Sequence, residues 1–459
     1  MLTARIGMFK LTVIIIILTL SVQASAATLN VDSADPTCSD VAGGPYCRIQ
    51  PAIDAAASGD TVLVMPGTYI ENINFSGKAI TVISDQGPSA TIIDGGAADT
   101  VAYFGNGETT TSVLDGFTLQ NGYAGAGSPA LGSGGGILIR NASPTIRNNV
   151  ITDNVADSPG FGIEVYFGSP VIDGNTITNN RAGGGYTGGN GGGGIRVGGA
   201  GSAQIINNTI TDNRTTPNFS GGGGIELNSA GTPVIRNNFI SGNSGRAGGG
   251  IRLVNASNAL IIQNIIVNNS ATSSGGGVYW GVPNGQPGPK LVNNTIANNT
   301  SPQGSGVYAG GFDALTELTN NLIIASLGQD AVYCDNHNDL NPPIFKFNDV
   351  YSASGTDYAG ICASQTGHNG NISVDPLFVD IASDDYRPAN GSLVIDKGDS
   401  FEPNLPATDF DGNSRIDGGD VDMGAFEQVS VNSGSGGSGQ PISQSSGGGG
   451  GCFISTATD

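Results

Sequence analysis

The chain has 459 residues, 75 of them glycine, only 12% charged, and a formal net charge of -21. Its length admits two or three domains or one long repeat array; glycine without a three-residue period excludes collagen, and the aliphatic content excludes simple disorder. The acidity excludes nucleic acid and an anionic membrane surface as partners and suits a soluble extracellular protein.

Residues 1–26 read as a signal peptide. Arg5 and Lys10 precede the apolar run 11–20, and Ala24-Ser25-Ala26 has the form of a cleavage site, so the mature chain is expected to start at Ala27. No later stretch is long enough to span a bilayer, so no transmembrane segment is expected after signal removal. Export makes two local disulfides plausible, Cys38 with Cys47 and Cys334 with Cys362, and leaves Cys452 over. With only His337 and His368 available, these cysteine spacings argue against metal ligation.

A repeat begins near residue 137. Asparagines recur at Asn149, Asn175, Asn208, Asn238, Asn264, Asn294, Asn321 and Asn348, with a second column at Asn154, Asn180, Asn213, Asn243, Asn269 and Asn299. Isoleucine stands two residues after each of the first seven, and another aliphatic three residues before. After each glycine-rich run comes Ile137, Ile163, Ile195, Ile225, Ile251, Val278 or Val307. A fixed period of this size means a solenoid. The apolar residues alternate at period two in three short runs per unit, so each unit is a coil of three strands. Asparagine tolerates the left-handed backbone of a sharp bend, and stacked amides can bond to one another. Glycine serves a second corner where no Cβ fits.

These units resemble the right-handed parallel β-helix, or pectin-lyase-like, superfamily, over roughly 27–428. The stretch "IQPAIDAAASGDTVLVMPGTYIENINF" resembles that superfamily's opening segment. It implies a short amphipathic helix over 49–57 covering the open core, a first-coil strand at 61–64, and a turn at "MPGTYIE", with cap and first coil in 27–78. The stretches "DPLFVD" (375–380), "DYRPANGSLVIDKGD" (385–399) and "DFDGNSRIDGGDVDMGAFEQ" (409–428) resemble the terminal region of bacterial secreted β-helix proteins, and make 370–428 an Asp-rich C-terminal region. Residues 429–459 are a Gly/Ser-rich linker with a tail, "CFISTATD", that resembles a Cys-Phe-Ile box.

Chemistry is sought in columns created by stacking. Directly after each inward residue stand Leu138, Glu164, Arg196, Glu226, Arg252, Tyr279 and Tyr308. Either this is an exposed charge ladder, or Glu164, Arg196, Glu226 and Arg252 line a groove with Tyr279, Trp280 and Tyr308 as a sugar-stacking platform. Trp280 falls in the inward register. Arg196, between Glu164 and Glu226, would hold both ionised. Variable segments (155–161, 181–190, 214–220, 244–247, 270–274, 300–303) fall along one edge and carry Arg181, Tyr186, Arg214, Phe219 and Arg246. These arginines can meet anionic sugars or pair with aspartate. Asp409, Asp411, Asn413, Asp417 and Asp420 form either a calcium-binding loop or turn chemistry.

The motifs that carry lyase or polygalacturonase activity in the superfamily are absent, so the resemblance transfers no catalytic residue. The expectation is an all-β, monomeric, exported or cell-surface β-helix of roughly 12 coils that binds a polysaccharide or cell-surface glycan, with calcium as the one candidate cofactor. Its alternatives are a polysaccharide lyase or glycoside hydrolase, and a passive spacer.

Overall fold

Runs of three or four alternating aliphatic and polar residues between bends are too short for helices, so they form strands and the bends shape the chain. The computed structural model describes residues 25–429, except 42, 126–131, 186–190, 217–220, 256, 284, 312–315 and 337–341. Most of the leader, the tail with Cys452, Tyr186, Phe219 and His337 therefore lie outside the described residues. The chain winds into a right-handed parallel solenoid whose coils give one strand to each of three parallel sheets. In coil order, the first sheet has 11 strands, from Ile73–Asn74 to Tyr358–Gly360. The second has 12, from Thr28–Val31 to Ile344–Lys346, and the third 11, from Gly67–Ile70 to Asp349–Tyr351.

Identical positions stack in register. Ile225 pairs with Ile195 and Ile251, Ile235 with Ile205 and Ile261, and Ile240 with Ile210 and Ile266. All nine are fully buried, so three isoleucine columns fill one continuous core that no single coil could close alone.

Each asparagine pair divides its labour. The first member takes the left-handed backbone, as at Asn148, Asn207 and Asn237, while the second builds the ladder. Asn238 Nδ2 donates to Asn264 Oδ1 (2.9 Å), to the Ile205 carbonyl of the preceding coil (2.9 Å) and to the Arg236 carbonyl (3.0 Å). Its Oδ1 accepts from the backbone N–H and side chain of Asn208. The chain of bonds runs on through Asn348 to Asn371. The second column repeats it from Asn154 to Asn299. A buried bend is thereby satisfied without water.

Glycine is required by close approach. A Cβ on Gly224 would stand 2.7 Å from the Gly250 carbonyl oxygen one coil away, well inside van der Waals contact.

The N-terminal helix is shorter than expected, Ile49–Ala55, with Ile49, Ala52 and Ile53 buried on the core. Glu71 accepts the amide N–H groups of Ile49 and Gln50 at 2.8 and 2.9 Å, and Lys78 donates to the carbonyls of Ile53, Asp54 and Ala56. Both ends are thus capped by side chains from neighbouring coils. The strand Thr61–Val64 stands where expected. Of the expected turn "MPGTYIE", Gly67–Ile70 is instead the first strand of the third sheet, paired with Thr91–Asp94. Cys38 and Cys47 (Cα–Cα 5.1 Å) and Cys334 and Cys362 (5.2 Å) are bonded through their sulfurs in the structure.

The C-terminal region continues the solenoid only as far as Asn371 on the ladder and Ile372, which bridges in parallel to Asp349. Phe378–Asp380 pairs antiparallel with Asp385–Pro388, and the segment through Phe426 folds back as a strap on the outside of the third sheet. There Tyr386, Ala425 and Phe426 pack on Ile265, Val267 and Ala297. Asn293 Nδ2 donates to the carbonyls of Asp422 and Gly424, and Asn320 Nδ2 to that of Asp399.

Candidate functional site

The column on the outer face of the first sheet forms in the expected order: Leu138, Glu164, Arg196, Glu226, Arg252, Tyr279 and Tyr308 are successive register partners, and Tyr333 continues it. Arg196 pairs with Glu164, and Arg252 with Glu226 at 3.1 Å. The column is not exposed, however. Glu226 is 0%, Glu164 3% and Arg252 6% accessible. The cover is the glycine run itself, which arches over the sheet. A Cβ on Gly222 would meet the Arg252 Cβ at 2.9 Å, and one on Gly160 the Glu164 Cβ at 2.6 Å. Gly222 also donates its N–H to Glu226 Oε2 at 3.0 Å. Burial pushes the Glu164 carboxyl up to about 8 against the pull of Arg196, and raises Glu226 against the pull of Arg252. The expected pull of Arg196 is therefore outweighed by loss of water at Glu164, and burial shifts Glu226 in the same direction.

Trp280 is removed from the binding face, since its ring lies in the core with no exposure; the period-two register places every second residue inside. Tyr279, Tyr308 and Tyr333 stack on one another, with centroids 5.0 and 5.5 Å apart and planes within 9° and 5° of parallel. The Arg252 guanidinium lies 5.7 Å from the Tyr279 centroid. Both faces of the middle ring are thus occupied, and Tyr308 donates its hydroxyl to Asp335 at 2.5 Å. Sequence reasoning missed Tyr333, although it continues the spacing of Tyr279 and Tyr308.

The variable segments do share one edge. They form short outer strands such as Val155–Ala156 and Arg181–Ala182, and Tyr123–Ala124 on the preceding coil joins the same small sheet. Arg181 and Arg214 are bridge partners on adjacent coils, Arg214 bridges on to Ser244, and Arg246 stands two residues beyond. All three arginines are exposed, and none forms an ion pair among the described residues. The adjacent segments 186–190 and 217–220 contain no acidic residue.

Among the described residues, no group of three His, Cys, Asp or Glu side chains is arranged to hold a metal ion. Asp409 is buried and accepts the N–H groups of Asp411, Asn413 and Glu427. Asp411 bonds Arg387 at 2.8 Å, Asp420 accepts from the Ser400 hydroxyl, and the Asp417 N–H meets Glu427. Buried Arg415 donates to the carbonyls of Asp422, Gly424 and Ala425.

A cleft of about 670 Å³ opens where the strap leaves the third sheet, between Thr209, Thr211 and Phe239 on the sheet and Asp384, Arg387 and Phe410 on the strap. Sequence reasoning missed it, though a signal exists. The outward residues of the third-sheet strands change from Thr176/Thr178 and Thr209/Thr211 to Ile265/Val267 and Leu322/Ile324, which marks where a cover begins.

Several solved structures are similar in fold. Pectate lyase Pel9A aligns over 88% of this chain and 97% of its own, at 16% identity and a TM-score of 0.55. The xylose complex of XylC aligns over 88% and 98%, at 11% identity and 0.47, and the A-module of the Azotobacter vinelandii mannuronan C-5 epimerase AlgE6 over 72% and 94%, at 18% and 0.41. No curated protein matches the chain. The model of the right-handed beta helix region matches residues 55–191 and 135–323, more than half of the sequence, and the coils seen here are what it describes: the chain belongs to the right-handed β-helix family.

Proposed function

We propose that this is an exported, carbohydrate-active β-helix protein that holds an anionic polysaccharide along its insertion edge. The observation that carries the reading is the set Arg181, Arg214 and Arg246, exposed and without ion-pair partners among the described residues, in a chain of net charge -21. Like charges on adjacent rungs repel, and an anionic polymer laid across the coils relieves that repulsion. Export rests on the leader at 1–26 and on two disulfides, which persist in oxidising compartments. Replacing all three arginines by alanine is expected to abolish retention of uronate-bearing polysaccharide with no change in thermal unfolding. Retention equal to the parent chain's would remove the reading.

Cleavage of the bound chain, by lyase or hydrolase chemistry, is a second reading. It is favoured over passive adhesion by the fold likeness to a pectate lyase across 88% of the chain, and no side chain is assigned to its chemistry. It predicts unsaturated uronates or new reducing ends from a panel of acidic polysaccharides with and without Ca²⁺. A clean negative leaves binding alone.

A further inference from the structure

The cleft beneath the strap has no part in that reading, and its chemistry is opposite in sign. We propose that it binds an amino sugar, a saccharide ring carrying a free ammonium group, at a site separate from the arginine edge. Its volume, about 670 Å³, falls in the range of small-ligand sites and has room for a short oligosaccharide. Its walls are apolar. Phe239 comes from the sheet and Phe410 from the strap, the latter meeting Phe426 edge-on with centroids 5.6 Å apart. Flat apolar walls suit the C–H faces of sugar rings, and Thr209 and Thr211 bring hydroxyls to the floor.

The charges decide the class of sugar. Arg387 is bound by Asp385 at 3.0 Å and by Asp411 at 2.8 Å, and its guanidinium lies 5.3 Å from the Phe426 centroid. It is thus neutralised and held, and is no receptor for a ligand carboxylate. Asp384 remains at the rim. It is exposed, in a left-handed turn (φ 58°), and its carboxylate accepts from Asn268 Nδ2 at 3.3 Å. The cleft therefore presents three aspartates against one arginine, within the field of a chain of charge -21. A uronate is repelled there and an ammonium group is attracted. A lysine side chain carries the same cation but is too slim to cover both walls.

The test is calorimetric titration of the full chain with a fully deacetylated glucosamine tetramer, its N-acetylated counterpart and a tetralysine peptide. The deacetylated tetramer is expected to bind, with the N-acetylated form weaker by about tenfold or more. Asp384→Asn removes the charge and tolerates the left-handed backbone; it is expected to weaken binding by about tenfold. The triple arginine-to-alanine variant of the edge is expected to bind the tetramer as the parent does. The proposal is overturned if the two tetramers bind alike, if Asp384→Asn changes nothing, if tetralysine binds as tightly, or if no tetramer binds. Loss of uronate retention in the edge variant with tetramer binding intact separates this site from the edge.

Discussion

Asn238 shows how one side chain can be scaffold throughout. Its amide makes five hydrogen bonds, linking three coils. Asn238→Ala strands a buried carbonyl and a buried N–H, so a loss of about 1–3 kcal/mol per group left unpaired is expected in denaturant unfolding; a loss within error would mean that water enters the bend. Glu164 carries a pH dependence. Burial raises its carboxyl to about 8 from 4.5, so between those values the folded chain keeps a proton that the unfolded chain releases. Stability is then full below the unfolded value and is lost as pH rises toward 8. Asp349 and Glu427, also raised by burial to about 8, act in the same direction. The unfolding temperature is expected to fall from pH 5 to pH 8, and Glu164→Gln to flatten part of that slope; a midpoint rising with pH would contradict it.

Among the elements, the strap is the one that departs from the repeat. The third sheet prepares its seat, since the outward positions turn aliphatic at Ile265 and Val267, just where Tyr386 and Phe426 land. Asp409 holds the strap's turn through backbone N–H groups and Glu427 ties the chain at Asp417 and Asp422. The calcium proposal for Asp409–Asp420 predicts that EDTA lowers the unfolding temperature. Because Asp409 and Asp411 already have protein donors, we expect no shift. A fall reversed by added Ca²⁺ would show that the loop holds the ion.

At the scale of the molecule, local and global charge oppose each other. On the proposed reading the arginine edge attracts an anionic polymer, while a net charge of -21 repels its approach. Raising salt from about 0.01 to 0.15 M shortens the screening length from roughly 30 to 8 Å, which weakens the long-range repulsion more than contact pairing. The association rate of a uronate polymer is expected to rise over that interval, the reverse of a basic binder. A rate that falls steadily with salt would place the ligand in an attractive field this chain does not have.

The repeat was legible in residues 137–323 because each coil presents the same demands: an aliphatic inside, an asparagine at the bend, a glycine where coils touch. Period two also set Trp280 inside the core and brought Glu164, Arg196, Glu226 and Arg252 into one column. Whether that column meets water was not legible. It depends on where the glycine arches lie, and on Gly160 and Gly222 passing within contact of its stems. Likewise the tyrosines were readable as neighbours but not as a closed stack with occupied faces. The strap and the cleft it leaves at Phe239 come from contacts between residues more than a hundred positions apart, which no local spacing records, and the neutralised Arg387 from the strap's own fold, which brings Asp411 back to it. Sequence alone therefore determined the coil, its core and the order of residues along each face, since these follow from repeat and register. Exposure, pairing and the cleft were decided only by tertiary structure, since these depend on what folds back over each face.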